Sequence, residues 1–215
     1  MDLKRAAAVL VLAGLSLAAP SAAAAATRDC ALLPPEVRAG AIYAGYSESR
    51  MCAAGLKPLW HGLPGGVERV MRFTFSSGHA LFWRSVTITA LPDGRGRMEV
   101  VGGGHKRRDV RSSWVDIRPV RRRLSAETLT ALTTLAEQSG TFDHAVGSWD
   151  QRAGGEGEIF LHCQTLDMER ADAGGYRFSS VNLGCNRPAK LMPLVDEVIR
   201  LADIGMVRGN WSAYQ

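Results

Sequence analysis

The sequence predicts an α+β fold: a single domain with a mainly antiparallel sheet of about six strands and two main helices, in the order ββββαββα. Three observations predict it. Between residues 67 and 118 apolar side chains recur at every second position, the period of a strand, in runs separated by short turns. A helical period replaces it after Ser125 and again before Ile204. Strands and helices do not alternate as a doubly wound parallel sheet requires, so a dinucleotide-binding fold is set aside.

Taken in order, the chain opens on a leader. Lys4 and Arg5 form a short basic region, residues 6–19 are apolar and uncharged, and an alanine run ends at Ala26 with the small residues a signal peptidase reads. That apolar run falls short of the roughly 20 residues of a spanning helix, so no transmembrane anchor is expected in the mature chain. Thr27, Arg28 and Asp29 ahead of Cys30 do not fit a lipoprotein signal. Residues 1–26 are therefore read as a signal peptide, and the mature protein as periplasmic or secreted. Its cysteines, Cys30, Cys52, Cys163 and Cys185, are even in number, as two disulfides of an exported chain would be. Four cysteines allow three connectivities. The local one, Cys30 with Cys52 and Cys163 with Cys185, is preferred. Zinc is a weak competitor, because no two cysteines and no two histidines have ligand spacing. No metal and no cofactor is expected.

Residues 27–66 read as an irregular segment, a lid held back by the first disulfide. Pro35 suits the first turn of a short helix running toward Tyr43, and the glycines and prolines between Gly55 and Gly66 break any regular element after Cys52. The α+β domain then spans residues 67–215. In its first strand Met71, Phe73 and Phe75 share one parity and Val70, Arg72 and Thr74 the other. Val86, Ile88 and Ala90 alternate with Ser85, Thr87 and Thr89, the mark of a half-exposed strand. Pro92-Asp93-Gly94 turns the chain into a third strand at residues 97–101, which Gly102-Gly103-Gly104 is expected to end. A fourth strand is expected at residues 113–118, where Pro119 argues for an edge or a bulge.

Ser125 is a capping residue for a helix whose stripe is Leu129, Leu132 and Leu135 and whose stop is Gly140. A hairpin of residues 158–166 and 176–183 follows, with glycines at its turn. With Gly174 at its centre, facing residues sum to 348, which sets Cys163 opposite Cys185. The last helix carries Leu191, Leu194, Val195, Val198 and Leu201, and it must begin near Ala189 for Pro193 to fall in its first turn.

The chemistry-bearing residues are few. The sequence carries a net charge of +5, and removing the leader leaves +4. Residues 105–123 alone hold eight Lys/Arg against two Asp, so the rest of the mature chain is slightly acidic. Arg107, Arg108, Arg111, Arg121, Arg122 and Arg123 are thus the candidate anion-binding residues, suited to phosphates or carboxylates of envelope polymers or lipids. The competing reading is a solvated loop and a charged edge strand that discourages aggregation. Nucleic acid is not expected, since export removes the usual partner and no aromatic stacking motif interleaves the arginines. His61, His79, His105, His144 and His162 are scattered, with no HExxH pair, and no G-x-S-x-G elbow occurs. His162 reads as a core histidine, and Met168, Phe160, Tyr176 and Phe178 as core.

The succession of a helix, Phe142-Asp143, a glycine-rich acidic loop ending in Glu156-Gly157, an aromatic strand at Phe160, Gly175-Tyr176 and a proline before the last helix resembles uncharacterised exported bacterial α+β proteins. The resemblance covers roughly residues 67–204. It implies the fold and the compartment and carries no activity. Two function classes follow. One is a non-catalytic exported binding or accessory protein, its partner an envelope protein, a polymer or an anionic lipid. The other is a small exported hydrolase whose site is not visible in sequence; no catalytic residue is assigned.

Overall fold

The computed structural model describes residues 30–40, 45–77, 82–106, 111–143, 146–148, 164–183 and 187–203. Two short helices, α1 (Pro35–Gly40) and α2 (Gly45–Ala53), precede the strands β1 (Arg69–Ser76), β2 (Phe82–Ala90), β3 (Gly96–His105) and β4 (Trp114–Leu124). Helix α3 (Ala126–Ser139), a short strand β5 (Val146–Ser148), the hairpin β6 (Thr165–Asp172) and β7 (Gly175–Val181), and helix α4 (Met192–Ala202) complete the order. The α+β class holds. Six strands form one antiparallel sheet in the spatial order β4-β3-β2-β1-β6-β7, and β5 adds a seventh, parallel to β7.

The sheet is covered on both faces, for different reasons. The first face is the apolar parity. Met71, Phe73, Val86, Ile88, Met98, Leu166 and Met168 pack there against Leu129 and Leu132 of α3 and Leu194, Val195 and Val198 of α4. Ser125 caps α3, accepting from the Thr128 amide at 3.2 Å, and Gly140 closes it at φ +66°, a value that favours glycine. Helix α4 starts at Met192, later than proline placement suggested, with Pro193 in its first turn. At its other end Arg122 donates to the Leu201 carbonyl at 2.8 Å, satisfying one of the helix's orphan acceptors.

The second face is covered by the N-terminal segment. Residues read as irregular contain α1 and α2, and Glu48 ties them together by accepting from the Leu32 and Leu33 amides and from Arg38 at 2.6–3.3 Å. The Cys30–Cys52 disulfide is present and pins this lid. Leu32, Met51 and Leu56 pack on Trp83 and Val101, Leu33 and Val37 on Phe178, and Leu59 on Val70 and Ala171. Because of that cover, β2 is not half-exposed as its alternation suggested: Ser85 is fully buried. Cys163 and Cys185 lie outside the described residues, as do His79, His144, His162, Phe160, Arg107 and Arg108.

Three further expectations are corrected. The β6–β7 register pairs Leu166 with Val181 and Asp172 with Gly175, so facing residues sum to 347 and not 348. Asp172 sets this slip. Its carboxylate accepts from the Gly174 amide at 2.8 Å, and Gly175 at φ +95° begins the return strand, leaving a two-residue turn at Ala173-Gly174. Secondly, Gly102-Gly103-Gly104 do not end β3; they lie inside it. A Cβ at Gly103 would stand 2.7 Å from the Trp114 ring, so the missing side chain is what lets that indole lie across the strand. Thirdly, β4 does not stop before Pro119. Val101 faces both Arg118 and Pro119 in a bulge, and the strand resumes through Arg121, Arg122 and Arg123.

Candidate anion-binding groove and the polar layer beside it

Beneath the lid the second face is polar, unlike any ordinary core layer. Strand register builds it in rows. Thr87, Arg72 and Glu169 lie abreast across β2, β1 and β6, and Ser85, Thr74, Asp167 and Ser180 form the next row. Arg72 and Glu169 are both buried and make an ion pair at 3.2 Å. The guanidinium also donates to the Lys57 carbonyl of the lid at 2.7 Å, and the Tyr176 hydroxyl donates to Glu169 Oε1 at 3.2 Å. Burial pushes the Glu169 carboxyl up, against the opposing pull of Arg72 and of the Tyr176 hydrogen bond. Burial likewise raises the Tyr176 hydroxyl, with Glu169 adding to it.

Among the described residues Asp167 has no cationic partner in this layer. The Ser180 hydroxyl donates to it at 2.7 Å, and desolvation pushes its carboxyl up to about 6. An unfolded aspartate titrates near 3.9. The folded chain therefore binds more protons between about pH 4 and pH 6, and stability falls as pH rises through that window. Asp167→Asn keeps an acceptor for Ser180 and removes the charge. The expected result is a melting temperature higher than wild type at neutral pH, equal to it near pH 4, and nearly flat between. Thermal denaturation of both proteins across that range checks it.

Past the lid, toward β4, the same face opens. A groove of about 440 Å³ is lined by Thr87 and Thr89 of β2, Arg97, Met98 and Glu99 of β3, and Arg121, Arg122 and Arg123 of β4. Volumes of this order hold small ligands or single side-chain groups. Glu99 and Arg121 face each other across the strands and pair at 2.7 Å. Arg97 faces Arg123, both exposed, and neither has a carboxylate partner among the described residues. Like charges set directly opposite on adjacent strands repel. Two guanidiniums so placed present a fork to any anion that comes between them.

The candidate arginines are thus divided. Arg121 and Arg123 face the groove, while Arg122, although it also borders the groove, sends its guanidinium to the other face, where it serves α4 and lies within 3.8 Å of Asp203. Arg111 is exposed at the opposite end of β4, about 30 Å away at the rise of a strand. Arg97 was absent from the sequence-derived set because it lies in a different strand; only the β3–β4 register reveals it. His105 Nδ1–H donates to the Ser112 carbonyl, 2.6 Å away, and its ring meets Trp114 edge-on. Among the described residues no cluster of three metal-ligating side chains occurs, and no helix is long and apolar enough to cross a membrane.

No family model matches this chain, and a search of the curated proteins finds none similar to it.

Proposed function

We propose that this is an exported, non-catalytic binding protein of the cell envelope or the medium, and that it holds an anionic partner in the groove between β2 and β4. The observation that carries the reading is the Arg97–Arg123 opposition at the mouth of the groove. Repulsion between them costs stability in the free protein, and a bound carboxylate or phosphate relieves it. The three-region leader and the Cys30–Cys52 disulfide support export.

The test compares wild type with Arg97→Ser/Arg123→Ser in equilibrium binding to polyglutamate and to phosphatidylglycerol vesicles. Both residues are exposed, so the double variant keeps its fold. Wild type is expected to bind at low salt and to weaken as charges become screened within about 8 Å at physiological strength. The variant is expected to lose about tenfold in affinity, or 1.4 kcal/mol. Equal binding by the two proteins contradicts the proposal. The vesicle and peptide arms separate a lipid headgroup from a polypeptide carboxylate as the source of the anion.

A further inference from the structure

Strand β4 lies at the free edge of the sheet, bonded only to β3 among the described residues. Its two faces differ in kind. Val115, Ile117 and Val120 stand on the helix-bearing face at 42%, 38% and 38% exposure, beyond the reach of α3 and α4. Arg121 and Arg123 stand on the groove face. Edge strands are ordinarily blunted by charge, proline or a bulge, and the Arg118–Pro119 bulge does so at one point. A row of exposed branched apolar side chains does the opposite, since it offers a partner strand area to bury.

Resting on the groove reading above, we propose that β4 receives an extended acidic segment of another protein as an added strand, with carboxylate and apolar side chains in alternation. Successive residues of a strand face opposite sides. Such a segment therefore extends the Val115, Ile117 and Val120 row with one set of side chains and brings carboxylates to Arg121 and Arg123 with the other. The backbone of the edge supplies the hydrogen bonds and the side chains supply the selectivity. A second copy of this chain is the wrong occupant: β4 holds four arginines against one aspartate, so β4 against β4 sets like charges side by side.

The experiment uses the full mature chain and a labelled peptide of strictly alternating glutamate and valine, about as long as β4. Controls are a peptide of the same composition with glutamates and valines in separate blocks, and polyglutamate. The alternating peptide is expected to bind about tenfold more tightly than the block peptide. Val115→Ser/Ile117→Ser, changes at exposed positions that add no charge, should abolish that advantage and leave polyglutamate binding unchanged. If the three peptides bind alike, or the serine variant retains the advantage, strand addition is overturned and anion binding in the groove stands. If none of them binds, both fall. Self-association that the serine variant abolishes would identify a second copy as the occupant and overturn the proposal.

Discussion

Arg72→Ala is expected to destabilise the folded protein by about 3–5 kcal/mol, the cost of leaving one partner of a buried ion pair uncompensated. Glu169 is buried and has no other cation at hydrogen-bond distance among the described residues, and burial already raises its carboxyl. Losing Arg72 also strips the Lys57 carbonyl of its donor, so the lid loosens with the core. The pH dependence has a definite sign. Without Arg72 the Glu169 carboxyl rises further, and its protonated form need not be charged in the interior. The loss is therefore largest near neutral pH and shrinks on acidification. Arg72→Met/Glu169→Leu removes both charges, and chemical denaturation should find it more stable than Arg72→Ala alone. A single variant within about 0.5 kcal/mol of wild type would show that the pair contributes little.

The second large effect concerns the lid. Replacing Cys30 and Cys52 together by serine reopens a loop whose ends are 22 residues apart. On the chain-entropy account such a closure is worth about 3 kcal/mol. The disulfide sits against Leu32, Met51, Leu56 and Trp83, so its loss also frees the lid helices from the sheet. Guanidinium denaturation should show the fall in stability. Hydrogen exchange should show it concentrated in α1, α2 and the buried second face. An unchanged denaturation midpoint would mean that packing and the Glu48 contacts hold the lid without the covalent tie.

Strand period, capping and turn chemistry were enough to read the fold class from the chain, because each acts over a few neighbouring residues. Ser125 and Gly140 delimit α3, and parity in β1 and β2 finds the apolar face. What local pattern could not reveal depends on residues distant in sequence. Ser85 reads as part of the exposed face of β2 until the second face is found covered and Ser85 buried. The three glycines of β3 read as a stop because nothing nearby announces that the Trp114 ring needs the space at Gly103. The basic segment was legible as a concentration of charge. Its sorting into a groove pair, a helix cap and a distant turn was not, since a bulge at Pro119 and the register of β3 decide which arginine faces which way.

The central claim is that Arg97 and Arg123 act together on one anion. An NMR titration of the arginine side-chain Nε–H resonances with inorganic phosphate tests it most directly. The account predicts that the signals of Arg97 and Arg123 shift together and saturate with a common affinity, with Arg121 following them and Arg111 and Arg118 nearly unmoved. Small, unsaturable shifts shared equally by every exposed arginine would contradict it, and would leave the cationic strand a solvated edge.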